Sequence, residues 1–410
     1  MFGIKIALNY IIKEMKILIV CQHYHPENFV ITNIAEKLVS FGHDVTVLTG
    51  KPNYGYGYIL PAYKNISSEV INGVKVERVK LKARKQTRLS IVQNYLSFWK
   101  NSKEWVKKTK EEFDIVYSMS LSPVTILAAG NLYKKKHSVP HVVHCVDLWP
   151  ESVLVTKAVR KNSLIYRFLY SWSKKLYSKA DEVLIGSPSF AQYFDEILNL
   201  SHIQMKFVPQ PSLVEVSDLP PFPFDKKYFN ILYCGNLGLI QQIPYIVEAM
   251  KELKGSNIRF NIIGMGPLTN YLEEKIKEYG LEDNVVYYGP MPAAQASAYF
   301  KGADALYVSL KDEGTVGKTI PNKLVMSMAF GKPILAMLEG DGKSILVEAD
   351  GAVFSGQSPE SLRTALETIS KLNKKDLDRF GKNNYSYYQS HLTTDIVSKE
   401  IEQELLNKLR

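Results

Sequence analysis

The chain has few cysteines and lacks any long apolar run. Its three cysteines, Cys21, Cys145 and Cys234, are far apart and lie in or beside apolar stretches. This pattern excludes a disulfide framework and is typical of small buried residues in a reducing compartment. No segment approaches the ~20 consecutive apolar residues that span a bilayer. We therefore expect a cytoplasmic protein that is soluble or peripheral on the inner face of the cell membrane.

The sequence also lacks a dinucleotide fingerprint. The apolar run "KILIVCQ" leads into "HYHPENFVITNIAEKLVS" without a G-x-G-x-x-G turn. A dinucleotide oxidoreductase needs that turn for its cofactor, so we set this class aside. The His23-Tyr24-His25 cluster has neither the spacing of a helical ligand pair nor a cysteine partner, so no metal site is expected there. We interpret this segment as a strand-end loop that lines a cleft.

Excess positive charge is missing from the second half. Residues 1–225 hold 29 Lys and Arg against 19 Asp and Glu, whereas residues 226–410 hold 22 of each. Basic residues interleave with aromatic and aliphatic ones in "KLKARKQTRLSIVQNYLSFWKNSKEWVKKTK" and "TKAVRKNSLIYRFLYSWSKKLYSK". This composition fits docking on an anionic membrane surface, and a solvated helix face is the alternative. No nucleic-acid-binding motif is visible, so we expect no nucleic acid partner.

The N-terminal stretch "MFGIKIALNYIIKEM" has two interpretations. It is either a dispensable extension ahead of a start at Met15 or an amphipathic arm that seeks a surface. Its apolar part is interrupted by Lys5 and Lys13 and is too short to span a bilayer.

Short apolar runs rich in β-branched residues alternate with amphipathic segments along the chain. Such runs include "DVTVLTG", "DIVYSMS" and "DEVLIGS", and the alternation restarts after a proline-rich break at Val208–Lys227. Near-continuous hydrophobic strands with intervening helices predict parallel sheets covered on both faces. We expect an α/β protein of two doubly wound, Rossmann-like domains facing across a cleft. The predicted boundaries are 1–215, 216–390 and a C-terminal helix, 391–410, that packs back on the first domain.

The stretch "HVVHCVDLWPES" carries the candidate catalytic carboxylate. An apolar strand ends near Asp147, and a carboxylate at the carboxyl end of a parallel strand suits a catalytic or substrate-orienting group. The alternative is that Asp147 caps the next helix. His144 is expected on the opposite face from Cys145 and Asp147 if the strand extends that far.

Glycine turns and one lysine mark a candidate anion site in the second half. Gly235 and Gly238 follow the run "FNILYC", where backbone N–H groups and a helix N-terminus favour a phosphate. The stretch "NIIGMGP" repeats this pattern of a strand followed by Gly-x-Gly, and here a structural role in a tight turn is favoured over a phosphate site. Lys323 lies in the first turn of a helix predicted to begin near Pro321, beside free N–H groups. The "DLD" at Asp376–Asp378 lies in a Lys-rich helical segment and is interpreted as a solvated face.

Together these residues give the chain a family resemblance. It resembles the retaining glycosyltransferases of family 4, which have the two-domain GT-B fold, from Lys16 to about Ile369. The likeness is nearest to the branch with N-acetylfucosamine-type transferases of bacterial O-antigen and capsule assembly. It is carried by the segments "YHPENFVITNIAEKLVSFGHDVTVLTGKPNY", "DLWPES", "GNLG", "GPMPAAQASAYFKGADALYVSLKD" and "IPNKLVMSMAFGKPILA".

The resemblance implies a nucleotide-sugar donor, expected to be a UDP-sugar, held by the second domain without a metal ion or other cofactor. The base would lie near "GPMP", and the diphosphate near the "GNLG" turn and the start of the "NKLVM" helix. The implied donor-binding residues are Gly235, Asn236, Gly289, Met291, Thr319, Asn322, Lys323 and, for the ribose, Glu313. The first domain would hold a glycan or polyprenyl-linked acceptor. Asp147 would orient it or act in catalysis, with His144 as a second candidate.

The chain departs from the family pattern at the donor. Asn236, with Leu239 and two glutamines beyond it, occupies the turn where the broad family has an Arg and a Lys. Lys318 and Met326 stand where the wider family has two glutamates eight residues apart. These departures leave Lys323 as the main cation for the phosphates.

The resemblance implies retaining, metal-independent sugar transfer in which the leaving phosphate takes the proton of the acceptor. Two alternatives stay open. A nucleotide-sugar epimerase shares the GT-B architecture. A non-catalytic homologue that acts as a partner in a glycan assembly complex would account for Met326.

Overall fold

The computed structural model describes residues 14–85, 87–155, 159–212 and 216–410. The two interpretations of the N-terminal stretch fall mainly on residues 1–13, outside the described residues, and both stay open. The chain forms two sheets. Among the described residues, no helix is both long enough and apolar enough to cross a membrane.

The first sheet contains the apolar runs predicted as strands in the first half. Its strand order is β3-β4-β2-β1-β5-β6-β7-β8. The strands β2, β1, β5 and β6 pair in parallel, and β4 pairs in parallel with β2. The strands are β1 Lys16–Val20, β2 Asp44–Gly50, β3 Ser68–Ile71, β4 Val74–Val79, β5 Ile115–Ser120, β6 His141–Cys145, β7 Glu182–Ile185 and β8 Gln204–Phe207.

Two strands of this sheet, β3 and β8, were not predicted. β3 pairs antiparallel with β4 through a two-residue turn at Asn72 and Gly73, both with positive φ. An Asn-Gly pair favours such a hairpin turn, so the sequence did contain a signal for β3. β8 is short, and its residues are largely exposed or half-buried, so it lacks the apolar run that marks the other strands.

The second sheet is wholly parallel, with the order β11-β10-β9-β12-β13-β14. Its strands lie in the half of the chain where the alternation was predicted to restart, so the prediction of a second Rossmann-like sheet is confirmed. The strands are β9 Phe229–Cys234, β10 Ile258–Ile263, β11 Val285–Tyr287, β12 Ala305–Ser309, β13 Ile334–Met337 and β14 Ala352–Phe354.

The helices connect the strands, as the alternation predicts. Their apolar faces are buried: Ile34 and Leu38 of the first helix, for example, are fully buried. The helices are α1 Val30–Ser40, α2 Arg88–Lys108, α3 Leu127–His137, α4 Glu151–Val155, α5 Leu164–Tyr177, α6 Phe190–Gln192, α7 Ile243–Glu252, α8 Thr269–Tyr279, α9 Ala293–Gly302, α10 Asn322–Ala329, α11 Gly340–Ala349, α12 Pro359–Ser370, α13 Lys374–His391 and α14 Thr394–Lys408.

The chain divides into two compact units that interleave along the sequence. The first comprises the residues up to 145, 172–183 and 398–410, and the second comprises 146–171 and 184–397. The expected boundary near residue 215 stays a prediction. Within the first unit, the end of α14 is bonded to the rest: Glu402 Oε1 lies 2.8 Å from His43 Nε2, and Lys408 Nζ lies 3.3 Å from the buried Glu182.

Candidate functional site

Three glycine turns meet at the carboxyl ends of β9, β10 and β11. Gly235 N–H donates to Ile263 O at 2.9 Å, and Gly264 N–H donates to Gly289 O at 3.0 Å. Gly264 has φ +135°, and a Cβ atom there would lie 1.9 Å from the carbonyl oxygen of Gly235. Only glycine therefore fits at Gly264, and its role is structural, as the sequence indicated. The turns of Gly235 and Gly289 are thus held together through Gly264.

Lys323 lies against the Gly235 turn. It is the second residue of α10, and a Cβ atom at Gly235 would lie 2.3 Å from Lys323 Cε and 2.7 Å from Nζ. The Nζ atom donates to the hydroxyl of Tyr233 and lies 4.3 Å from the centre of that ring. Burial lowers the pKa of Lys323 to about 8. In the part of the chain that the structure describes, no carboxylate forms an ion pair with Lys323. Its ammonium is a desolvated cation suited to an anionic ligand.

Tyr233 joins this lysine to the glycine turn. Its ring is buried, and its hydroxyl donates to Asn236 O at 2.5 Å while it accepts from Lys323. Sequence reasoning missed Tyr233, although one signal was present. Residues two apart in a strand share a face, so a tyrosine two positions before Gly235 was placed to act beside it.

The remaining residues implied at the diphosphate lie around the start of α10. Asn322 is the first residue of that helix, and Thr319 precedes it in the connecting segment; both are half-buried. This segment is fixed within the second unit, because Ile320 N–H donates to Ser187 Oγ at 2.8 Å. Asn236 is exposed on the glycine turn. The structure therefore brings Gly235, Asn236 and Lys323 together and places Thr319 and Asn322 beside Lys323 in the chain.

Met291 and Met326 pack against one apolar cluster. Both are half-buried, and the cluster includes Leu232, Ile263 and Phe300. A glutamate at position 326 would put a carboxylate against these side chains, so the surroundings match the methionine that is present. The backbone at Gly289, just before this region, is open: no atom lies within 4 Å of a Cβ position there.

Glu313, implied at the ribose, lies on the surface. Its carboxylate is 2.6 Å from Lys311 Nζ, and its side chain is 71% exposed. The ion pair with Lys311 holds the side chain on its own loop, between β12 and α10. A ribose contact by Glu313 stays a prediction.

The two candidates near β6 have different surroundings. His144 is fully buried in the strand, and its Nδ1 lies 2.8 Å from the hydroxyl of Tyr117. β6 ends at Cys145, so Asp147 lies beyond the strand and before α4. Burial raises the pKa of Asp147 to about 6, against the opposing effect of hydrogen bonding to its carboxylate. A carboxyl group with this pKa can change protonation near neutral pH, which suits an acid–base or charge-stabilising role.

No metal cluster is found where the structure describes the chain: no group of three or more His, Cys, Asp or Glu side chains could hold an ion. The positive charge of the site just described comes from Lys323 and from the N-terminus of α10.

Two glycosyltransferase families match the chain in succession. Residues 28–211 match the family described as Glycosyl transferase 4-like domain, and residues 218–387 match Glycosyl transferases group 1. Two curated relatives agree. The probable glycosyltransferase WbjE of Pseudomonas aeruginosa is 27% identical over 68% of this chain and 72% of its own length. The amylovoran biosynthesis glycosyltransferase AmsD of Erwinia amylovora is 21% identical over 65% of this chain and 70% of its own.

A solved structure agrees on the fold. HepE of Anabaena, crystallised with UDP-glucose, superposes with a TM-score of 0.66 and 13% identity over 96% of this chain and 100% of HepE. With two Rossmann-like sheets and these two consecutive matches, the chain is a glycosyltransferase of GT-B fold in which a Glycosyl transferase 4-like domain is followed by a group 1 domain.

Proposed function

We propose that the protein transfers a sugar, with retention of anomeric configuration, from a UDP-sugar to a hydroxyl of a glycan or lipid-linked acceptor in the synthesis of a bacterial surface polysaccharide. The observation that carries the donor assignment is Lys323. A desolvated ammonium without a carboxylate partner among the described residues, beside the Gly235 turn and the N-terminus of α10, has the charge and the amides that a diphosphate needs.

We propose a role for each group in that reaction. As the sugar leaves the diphosphate, negative charge grows on the phosphate, and Lys323 and the first N–H groups of α10 stabilise it without a metal ion. Asp147, in its ionised form, stabilises the positive charge that grows on the sugar or orients the acceptor hydroxyl. Met326 packs against the apolar cluster that includes Leu232, Ile263 and Phe300, so we expect it to change the sugar or ribose contacts and to leave the phosphate site in place.

The relatives support the remaining choices. HepE was solved with UDP-glucose, which favours uridine among the nucleotides. AmsD is named for the biosynthesis of amylovoran, a polysaccharide, which favours a glycan or glycan-lipid acceptor.

A ligand screen tests the donor assignment. Calorimetry with UDP, GDP and dTDP on the full chain should show the tightest binding for UDP, and binding should persist in EDTA. Wild-type protein that binds none of the three would favour a non-catalytic partner of a glycan assembly complex. Turnover of UDP-sugars with and without extracted lipid-linked glycans, followed by NMR, reports the anomer of the product. Isomerised donor in the absence of any acceptor would identify an epimerase.

A membrane surface is the proposed location. Leu89, Val92 and Leu96 are exposed on one side of α2, and the segment 80–88 that leads into it carries five Lys or Arg. Exposed apolar residues beside basic ones fit the cytoplasmic face of an anionic bilayer. Leu89→Ser with Val92→Ser should lower cosedimentation with phosphatidylglycerol vesicles, and the exposed Val70→Ser is the matched control. Equal sedimentation of all three proteins, or binding that is insensitive to salt, would remove this surface from the proposal.

A further inference from the structure

The loop after β1 is tied to the loop after β2 by one buried carboxylate. Glu27 Oε1 accepts hydrogen bonds from the Asn53 N–H at 2.6 Å and the Tyr54 N–H at 2.5 Å. Glu27 Oε2 lies 3.0 Å from His23 Nδ1. Both side chains of this His–Glu pair are only 3% exposed. Such an arrangement holds the imidazole in one orientation at the carboxyl edge of the first sheet.

The pair leaves one imidazole nitrogen available. A carboxylate only accepts hydrogen bonds, so His23 Nδ1 donates to Glu27. In a neutral imidazole the other nitrogen, Nε2, is then an acceptor. Among the described residues, His23 Nε2 is buried and has no hydrogen-bond partner. A buried polar atom of this kind points to a ligand group that supplies the missing hydrogen bond.

Two aromatic rings contact the His23 imidazole. The His23 ring stacks on Phe29 with centroids 5.0 Å apart and meets the edge of Tyr54 at 4.9 Å. Tyr54 begins the sequence "YGYGY", in which Tyr54, Tyr56 and Tyr58 are 44%, 48% and 55% exposed. The two glycines between them have positive φ, which turns the loop so that three tyrosines follow one another on the surface. We call residues 54–58 the tyrosine loop.

We propose that His23, held by Glu27, and the tyrosine loop form a subsite for a pyranose ring of a carbohydrate acceptor. A sugar offers hydroxyl donors that match the unpartnered Nε2 and apolar C–H faces that match tyrosine rings. The inference rests on the proposed transfer to a carbohydrate acceptor and specifies where that acceptor binds. It makes His23 an acceptor-binding residue and Glu27 its positioning residue.

Other ligands fit the loop less well. The Arg84 guanidinium, 5.1 Å from the centre of the Tyr54 ring, would attract a phosphate diester, but a diester has no proton to donate to His23 Nε2. An acyl chain would leave His23 Nε2 without a partner, although exposed tyrosines also occur at membrane surfaces. A nitrogen that accepts a hydrogen bond, together with several aromatic faces, therefore favours a neutral ligand with hydroxyl groups, such as a sugar.

The test uses the full chain saturated with UDP and the probes methyl α-glucopyranoside and methyl N-acetyl-α-glucosaminide. Saturation-transfer NMR should show saturable binding of at least one glycoside to the wild-type protein. His23→Phe retains the ring stacking but removes Nε2. The double change Tyr56→Ser with Tyr58→Ser removes two aromatic rings of the tyrosine loop. Each change should weaken glycoside binding at least fivefold. Tyr385→Ser, an equally exposed tyrosine on α13, should leave it unchanged.

A second readout separates positioning from packing. The ¹⁵N signals of the His23 imidazole should show the Nδ1–H tautomer in the wild type. Glu27→Gln presents an amide N–H to Nδ1 and should convert His23 to the Nε2–H tautomer, with weaker glycoside binding and an unchanged melting temperature. An unchanged tautomer would remove Glu27 from its positioning role.

Calorimetry with UDP on the same samples keeps the two proposals apart. Failure of the wild type to bind UDP would count against the donor assignment. Normal UDP binding with no saturable glycoside, or with equal glycoside binding in all variants, overturns the acceptor subsite. Loss of phosphatidylglycerol vesicle binding in the Tyr56→Ser, Tyr58→Ser protein, with glycoside binding intact, also overturns it and assigns the loop to the membrane.

Discussion

At the carboxyl edge of the second sheet, the Gly235, Gly264 and Gly289 turns are joined by backbone hydrogen bonds and close packing, and Lys323 adds a charge beside them. At the carboxyl edge of the first sheet, the corresponding loops use side chains, with His23 and Glu27 at their centre. The same strand–turn–helix unit is therefore adapted in two ways within one chain.

The difference follows from what each edge is proposed to bind. A diphosphate is the same in every donor, and backbone amides and one cation recognise it without regard to the neighbouring side chains. We therefore expect that Asn236 and Met326 can depart from the pattern of the resembled family without loss of the proposed phosphate site. A carbohydrate acceptor differs from one pathway to the next, and side chains are the part of the protein that changes to match it.

The largest expected effect concerns Asp147, which follows β6 of the first sheet. Asp147→Asn should lower turnover by roughly 100-fold or more, the usual scale for a group that acts in the transition state. UDP affinity should stay the same. Since burial raises the pKa of Asp147 to about 6, the ionised form that we propose to act is lost as pH falls through 6. The wild-type rate should fall there too.

The Asp147→Asn protein should also melt at or above the wild-type temperature, because it no longer buries a carboxylate. Full turnover in this variant would leave Asp147 with only the helix-capping role that the sequence also allowed.

More residues of the candidate site on the second sheet than of the proposed subsite on the first sheet could be predicted from the sequence. Gly235 and Lys323 belong to recognisable local patterns, a glycine after an apolar run and a lysine in a first helical turn. Glu27 was invisible as a functional residue, because its partners Asn53 and Tyr54 are about 26 residues away in the chain. Tyr233 was missed for the opposite reason, since within a strand it looks like any buried aromatic residue.

The fold itself was predictable where periodicity was strong. The apolar runs of both sheets coincide with strands, whereas the exposed β8 carried no apolar signal. β6 ended at Cys145, two residues short of Asp147, because strand ends are the least certain part of such a prediction.

The next largest effect concerns the close packing of the glycine turns at the carboxyl edge of the second sheet. Gly264→Ala should lower the free energy of unfolding by roughly 3 kcal/mol, since a Cβ atom would strike the Gly235 carbonyl and the φ of +135° is strained for alanine. Gly289→Ala is the control. Its φ of +72° is left-handed but the surroundings are open, so about 1 kcal/mol is expected.

Urea denaturation measures both variants. Equal losses for Gly264→Ala and Gly289→Ala would show that strain alone matters and that the turns do not depend on their contact.

A smaller effect is expected from the charge on that edge. Lys323→Met should weaken UDP binding about 10- to 100-fold, the range of one charge-assisted hydrogen bond. Lys323 has a pKa of about 8, below the usual lysine value, so its ammonium is lost as pH rises through 8. Wild-type affinity for UDP should therefore fall above pH 8, and the variant should show no such fall.

Calorimetry between pH 7 and 9.5 provides the measurement, with the exposed Lys318→Met as the charge-matched control. A wild-type affinity that is flat across this range would mean that another group supplies the positive charge.

The smallest effect isolates the link between the cation and the turn. Tyr233→Phe retains the ring below Lys323 but removes the hydroxyl that joins Lys323 to Asn236 O. The hydroxyl makes two hydrogen bonds, but the Lys323 charge is retained without it, so a loss of about 1 kcal/mol is expected and UDP binding should weaken about fivefold. Without that acceptor the ammonium is less stabilised, so the pH at which affinity falls should move below its wild-type position. In a Lys323→Met background the Tyr233→Phe change should have little further effect, because the hydroxyl would act through a lysine that is no longer there. Additive losses of UDP affinity in the double variant would instead mean that Tyr233 supports the Gly235 turn independently of Lys323. The carboxyl edge of the second sheet would then depend on a side chain for its geometry, as the carboxyl edge of the first sheet does.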